Sequence, residues 1–308
     1  MKNNAPIVSI GMPVYNGEKY VRQALDSLLA QDYDNFELII SDNGSTDNTT
    51  EICQGYAKKD KRVRYYQNDT NLGASYNFKR VFELASGEFF MWAGSHDIWT
   101  PDYISRLIRV LQTEPNVALA YTETYWIDEQ GSDCTRELYH LDTRGMRVLD
   151  RIPVVIKTLS YCDLIYGLYR TSVLRKSSVS LTILGGDHII LMEISLLGEI
   201  AEIPGKGFLR RMLISHEQEN EAKRVETMLL RIDPLVYRNR KKVRAWWRMG
   251  WQHILSIGAS PIPAPEKAAI MPVVIRAFYT RFKHHLWNDL FHPVFEENAI
   301  GKREIPNW

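Results

Sequence analysis

In the first third of the chain every strand-like apolar run ends in a short polar cluster, and a helical segment follows. That alternation constrains the fold more than any other feature. Ile7 to Met12 is an apolar run closed by Pro13, the pattern of a strand buried on both faces. Glu18 to Gln31 carries Tyr20, Val21, Ala24, Leu25, Leu28 and Leu29 at helical spacing with a polar opposite side. Phe36 to Ile40 predicts a second strand, and Asn48 to Lys58 a second helix capped by Thr46 or Asp47. Val63 to Gln67, Ala74 to Ala85 and Phe89 to Trp92 continue as strand, helix and strand, with Ser86-Gly87 ending the helix. Units of this length predict an α/β fold with a mostly parallel central sheet flanked by helices. Ligands of such sheets bind outside the carboxyl ends of the strands, where each polar cluster falls.

Beyond this third, Pro101 to Gln112 reads as a helix and Val117 to Trp126 as a strand, with a turn at Asp128 to Gly131. Residues 132–152 show weak periodicity and read as a mobile connection. Ile165 to Tyr169 predicts a short strand, Thr171 to Lys176 a helix, and Asp187 to Leu197 an apolar helix closed by Gly198. Ile200 to Ile203 and Gly207 to Arg210 read as two edge strands. From about Glu217 the chain turns rich in Arg, Lys, Trp and His and reads as amphipathic helices broken at Pro261, Pro263 and Pro265. The expected division is a domain over 1–216 and a helical extension over 217–308.

Composition narrows the function classes. A formal net charge of +1 gives no bulk attraction to nucleic acid. Three cysteines, Cys53, Cys134 and Cys162, are an odd number at unrelated spacings, which fits free thiols in a reducing compartment. No signal peptide precedes Ile7, and no apolar run reaches the ~20 residues that span a bilayer. The expectation is cytoplasmic, with peripheral contact at the inner face of the membrane left open.

Four loops carry the chemistry. In Pro13-Val14-Tyr15-Asn16-Gly17-Glu18 a tight turn opens a helix whose free N–H groups suit an anion, and Tyr15 can stack on a base. A plain strand-to-helix connection explains the same loop. In Ser41-Asp42-Asn43-Gly44-Ser45-Thr46-Asp47, helix capping accounts for Thr46 or Asp47 but not for Asp42. Asp42 stands where an acidic residue can bond a ribose or base edge. The spaced glycines of a dinucleotide fingerprint are missing, which disfavours nicotinamide. The third loop holds Asn71, Gly73 and Asn77. The fourth, Ser95-His96-Asp97, offers a hard oxygen ligand for Mg²⁺ or Mn²⁺ and a softer nitrogen that Mn²⁺ tolerates better. Capping of the next helix is its simpler explanation.

Residues from about Ile7 to Tyr103 resemble the donor half of the family 2 glycosyltransferases, inverting enzymes with a GT-A fold. The matching stretches, in order, are Val8 to Asn16, Ile39 to Asp47, Asn71-Leu72-Gly73 and Trp99-Thr100-Pro101. The resemblance implies a nucleotide-diphospho-sugar donor, with UDP expected and GDP or dTDP sugars also compatible. It gives Asp42 the nucleoside, alongside Pro13, Tyr15, Asn16, Glu18, Asn71, Gly73 and Asn77. The family's acidic Asp-X-Asp metal motif falls at Ser95-His96-Asp97. If Ser95 replaces the first aspartate, Asp97 is the ligand of a divalent cation; a register shifted by one gives His96 a ligand position. An inverting transfer also needs a general base for the acceptor hydroxyl. The resemblance points to Asp187, in Gly185-Gly186-Asp187-His188, with His188 as a neighbour that can tune it and the glycines allowing close approach of a ligand. Helix capping is the alternative for Asp187. Gly167 would leave room for a sugar on the acceptor side. Arg210 or Arg211 would contact the diphosphate, and His216 would complete the metal shell.

Two other classes compete: a non-catalytic sugar-nucleotide binder with a degraded metal motif, and a nucleotidyltransferase. The latter lacks a glycine-rich loop at residues 11–19. The acceptor is left open between a glycan or polysaccharide, a lipid-linked glycan and a protein. The basic and aromatic run Lys241 to Arg248 suits an anionic membrane surface. It equally suits a homodimer contact or a helix packed on the catalytic domain, and packing is the preferred reading.

Overall fold

The computed structural model describes residues 6–135, 140–159, 162–179, 182–213, 221–237, 243–291 and 294. Its first unit runs β1 (Val8–Val14), α1 (Val21–Leu29), β2 (Phe36–Asp42), α2 (Thr49–Lys59), β3 (Val63–Gln67), α3 (Ala74–Glu83) and β4 (Phe89–Trp92). β1 lies between β2 and β4 and runs parallel to both, while β3 continues the parallel set beyond β2. The strand register puts alternate side chains on opposite faces. Ile10 and Met12, with Leu38, Ile40 and Met91, pack against α1, α2 and a later helix, α4 (Tyr103–Thr113). Ile39, Phe90 and Trp92 face Val81 and Phe82 of α3. Both faces are therefore apolar, which is why these strands read as continuous hydrophobic runs.

β1 extends past Pro13, the residue expected to end it. Gly11 turns its carbonyl to Ala93 on the β4 side, and Pro13, two residues on, faces the same way. Pairing with β4 stops at Gly11, so the N–H that proline lacks has no ladder bond to lose.

The second part completes the sheet in the order β3-β2-β1-β4-β8-β6-β9-β5. Its elements are β5 (Ile98–Trp99), β6 (Val117–Ile127), β7 (Asp133–Cys134), α5 (Val148–Thr158), a 3-10 turn (Asp163–Tyr166), β8 (Leu168–Arg170), α6 (Thr171–Leu174), α7 (Gly186–Leu197) and β9 (Glu199–Arg211). β8 is antiparallel to both neighbours, and β6 and β9 run parallel, so the sheet is mixed but mostly parallel in its donor half. Two expectations change here. The pair of edge strands is one 13-residue strand, β9, lying between β6 and β5. Pro204-Gly205 is absorbed by register shifts opposite Thr122 to Thr124. The stretch expected as a mobile connection ends in α5, which buries Ile152, Val155 and Ile156 despite Pro153 within it.

The remaining helices are α8 (Glu221–Ile232), α9 (Pro234–Tyr237), α10 (Ala245–Ala259) and α11 (Ala264–Phe291). The break between α10 and α11 holds Pro261 and Pro263, as expected, while Pro265 falls in the first turn of α11. α10 packs on α7 and α11 on α5, forming an outer layer on that side of the sheet. No helix among the described residues is long and apolar enough to cross a membrane.

Candidate active site

The first three loops form one hydrogen-bonded body at the carboxyl ends of β1, β2 and β3. Asp42 closes β2 and is fully buried. One carboxylate oxygen accepts from the Ser45 N–H at 2.9 Å; the other accepts from Thr50 Oγ1 at 2.6 Å and the Tyr65 hydroxyl at 2.8 Å. Asn43 ties the second loop to the third. Its amide donates to Asn71 Oδ1 (2.8 Å) and the Gly73 carbonyl (3.2 Å), and its oxygen accepts from Asn68 and from the Leu72 N–H. Asn77, on α3, donates to the Ser41 carbonyl at 2.7 Å and bridges the ends of β1 and β2. Its own oxygen is buried with no hydrogen-bond partner among the described residues. Asn16 takes a left-handed conformation (φ 47°), receives the Thr46 N–H at 2.9 Å and donates its own N–H to Ser45. Glu18 accepts from both the backbone and the side chain of Asn48, at the start of α2. Gly73 is left-handed at φ 92°, and a Cβ there would lie 2.6 Å from the carbonyl of Ile232, the last residue of α8. Pro13 and Tyr15, both half-buried, stand at the mouth of this body.

The fourth loop is built differently. Asp97 is fully buried, and one carboxylate oxygen accepts the Arg211 N–H at 2.9 Å. The other, Oδ2, has no hydrogen-bond partner among the described residues. A Cβ on Gly94 would come within 2.3 Å of Oδ2, so only glycine leaves that oxygen its place. His96 Nε2 lies 3.7 Å from Asp97 Oδ1. A buried carboxylate oxygen with no donor is costly unless a cation or a ligand meets it, so the pair fits a divalent cation better than a helix cap. His216 lies outside the described residues. Glu123, His140 and Glu202 also converge, but Glu202 already accepts from Tyr121, from the Leu141 N–H and from His140.

Asp187 enters from the other side of the sheet, in the first turn of α7, behind a left-handed Gly185 (φ 70°). Its side chain is exposed to a cavity of about 410 Å³ that Phe78, Trp92, Tyr166, Ile190, Arg210 and Met228 also line. The concave surroundings let a ligand reach the carboxylate while removing bulk water from it. That desolvation pushes the Asp187 carboxyl above the usual carboxylate range. The His188 N–H, 2.8 Å away, and the Cys162 thiol pull the other way. Tyr166 stands between the two acidic corners: burial raises its hydroxyl, and the charges of Asp97 and Asp187 raise it further.

Arg210 reaches this cavity and pairs with buried Asp163, its guanidinium over the rings of Trp126 (5.0 Å) and Tyr166 (5.9 Å). Arg211 is not brought there with it. Its guanidinium is buried and donates to the carbonyls of His96, Asp128 and Glu129 and to Gln23, bracing the loop that holds Asp97. Gly167 makes room for the sheet instead of a sugar, since a Cβ would lie 2.6 Å from the Ala120 carbonyl. Gly185 likewise makes room for Met249 of α10. The His188 ring turns away from Asp187 to His253, 3.1 Å off, and burial holds both imidazoles below their usual pKa, so it packs α7 on α10 and does not tune the carboxylate.

Sequence reasoning gave no individual role to Asn43 or Cys162, and placed Tyr166 only within the stretch Tyr166 to Arg170 that resembles the family's acceptor-side strand. Asn43 was legible as part of its loop. Cys162 has no local signal, because only the fold brings it against Asp187.

The model of the glycosyl transferase family 2 matches residues 9–162, half of the chain. A putative colanic acid biosynthesis glycosyl transferase of Escherichia coli, WcaA, is 38% identical over 127 residues, 41% of this chain and 44% of that protein. The putative glycosyltransferase EpsH of Bacillus subtilis is 38% identical over 115 residues, 37% of this chain and 33% of that protein. The chain thus spans less than half the length of these curated relatives. Among solved structures, S. aureus TarS 1-349 in complex with UDP-GlcNAc is similar with a TM-score of 0.65 at 19% identity, over 89% of this chain and 72% of that one. Mannosyltransferase PcManGT from Pyrobaculum calidifontis, in complex with GDP-Man and Mn²⁺, gives 0.53 at 14% identity, over 93% and 76%. At such identities the likeness concerns the GT-A fold.

Proposed function

The chain belongs to glycosyl transferase family 2, and we propose that it is an inverting enzyme moving a sugar from a nucleotide-diphospho-sugar to an acceptor hydroxyl in glycan or polysaccharide biosynthesis. The observation that carries this reading is Asp187, a carboxylate accessible from a cavity yet desolvated enough to hold a proton more tightly than usual. A general base needs both properties. UDP is the expected nucleotide, supported by the UDP-GlcNAc bound to the structurally similar TarS. The loops of Asp42, Asn43 and Asn71 would frame the nucleoside, with Tyr15 at the mouth. Residues 1–216 would form the catalytic domain and 217–308 its helical extension, whose α8 supplies Met228 to the cavity wall.

In the reaction, Asp187 accepts the acceptor's hydroxyl proton as that oxygen bonds the anomeric carbon. The bond from that carbon to the diphosphate oxygen breaks, and the nucleoside diphosphate leaves with the electron pair. Arg210, held by Asp163, faces the same cavity with its positive charge. Asp97, with His96 beside it, would hold a divalent cation, Mn²⁺ or Mg²⁺, which neutralises diphosphate charge.

The test is a panel of UDP, GDP and dTDP sugars assayed for binding by calorimetry and for transfer or donor hydrolysis. The reading expects one nucleotide sugar to bind and to turn over. Binding with no turnover across the panel and a range of glycan acceptors would favour the non-catalytic binder, the reading that Ser95 in place of a carboxylate supports.

A further inference from the structure

The inner sides of α10 and α11 are fully used. His253 meets His188, Met249 fills the space over Gly185, and Arg281 donates to the carbonyls of Ile156 and Leu159 on the α5 side. The outer sides are not the polar surface that two packed helices normally present. On α10, Trp247, Trp251 and Leu255 recur every four residues and are all exposed, Trp251 by 61%. On α11 the row Ile275, Tyr279, Lys283, Trp287, Phe291 repeats at the same interval. Four of its members are exposed large apolar residues, Phe291 by 68%. The Trp247 indole N–H donates to the Leu286 carbonyl at 3.0 Å and ties the two rows together. Scattered exposed apolar residues mean little, but a contiguous patch marks a contact surface.

The charge on this face selects the partner. Among the described residues of α10, α11 and their junctions, Arg244, Arg276 and Lys283 are exposed cations, and Glu266, at the start of α11, is the exposed carboxylate. Arg244 and Arg248 line a groove of about 380 Å³ with Trp247 and Trp251. Indole rings beside guanidinium groups suit the headgroup level of a bilayer, where rings enter the apolar boundary and cations meet lipid phosphates. A second copy is the weaker partner, because a two-fold contact would set one cationic face against itself. The groove adjoins the Asp187 cavity through Ile183, which lines both.

We infer that the outer face of α10 and α11 docks on an anionic lipid surface, lying on the bilayer without crossing it. The inference stands on this surface alone and holds whether or not the chain transfers a sugar. Flotation of the full chain with phosphatidylcholine vesicles, and with two-to-one phosphatidylcholine and phosphatidylglycerol vesicles, tests it. The expected result is at least about tenfold stronger binding to the mixed vesicles, reversed by high salt. Arg244→Glu with Lys283→Glu should cut that binding about tenfold, and Trp251→Glu should weaken it with unchanged melting and circular dichroism. Equal binding to both vesicle types, or none by the folded chain, overturns the proposal. So does a concentration-dependent dimer that Trp251→Glu dissolves in a chain that ignores vesicles.

Discussion

Asp42 and Asp97 are both fully buried aspartates at a carboxyl strand end or in the loop beyond one, yet they are treated in opposite ways. Asp42 is saturated: three donors meet its two oxygens, so it binds the loops together before any ligand arrives. Asp97 is left half-satisfied, one oxygen on the Arg211 N–H and the other without a hydrogen-bond partner among the described residues. Asp187 differs from both: it accepts from the His188 N–H and the Cys162 thiol, yet it is accessible from a cavity and desolvated at once. A saturated carboxylate stabilises the fold; an unsaturated one stores a cost that a cation, a proton or a substrate can repay. On the proposed reading the saturated body would frame the nucleoside end, and Asp97 and Asp187 flank Tyr166 where bonds would change.

The sharpest way to break this contrast is Asp187→Asn. Transfer should fall about 10²- to 10⁴-fold, with donor affinity by calorimetry unchanged. Stability should move the other way. Folded Asp187 holds its proton more tightly than the unfolded chain, so its ionisation costs stability as pH rises from the ordinary carboxylate pKa to the raised one. The Asn variant should therefore melt higher than the parent at neutral pH, and the gain should vanish in acid below both values. Equal melting temperatures at neutral pH would remove the desolvation argument.

Asp42→Ala should do the reverse and cost about 3 kcal/mol in denaturant unfolding, because it strands a backbone N–H and two hydroxyls. A variant that stays stable and loses only donor binding would make Asp42 a ligand group instead of a brace. Gly94→Ala pushes a methyl group into the place of Asp97 Oδ2 and should weaken the stimulation of transfer by Mn²⁺ about 10- to 100-fold, read from a metal titration. The smallest effect belongs to Cys162→Ala. Its thiol favours the ionised form of Asp187, so the acid limb of the pH–rate profile should shift to higher pH with the plateau little changed.

The same contrast explains what the sequence disclosed. Asp42 bonds within eight residues to Ser45 and Thr50, and its loop was legible as a motif, although its third donor, the Tyr65 hydroxyl, comes from the next strand. The parallel strands were legible because both faces are apolar. The Asp97 and Asp187 end depends on contacts that belong to no motif, the Cys162 thiol on Asp187 and the distant Arg211 backbone on Asp97. Arg210 and Arg211 look equivalent as neighbours, but successive residues of β9 face opposite ways, so one reaches the cavity and the other is buried as a brace. β9 itself was hidden by Pro204-Gly205, and α5 by Pro153, two local breakers that tertiary packing overrides.

The close seat of Ile232 and Pro234 on Gly73 has a consequence in time. The loops proposed to frame the nucleoside leave the ribosome early, whereas the turn between α8 and α9 that presses on them is made well over a hundred residues later. At roughly 5–20 residues per second the nascent donor half waits about 8 to 30 seconds for that wall. During that interval the sheet can form but Gly73 has nothing above it, so a ligand-ready site is the last part of the catalytic half to mature.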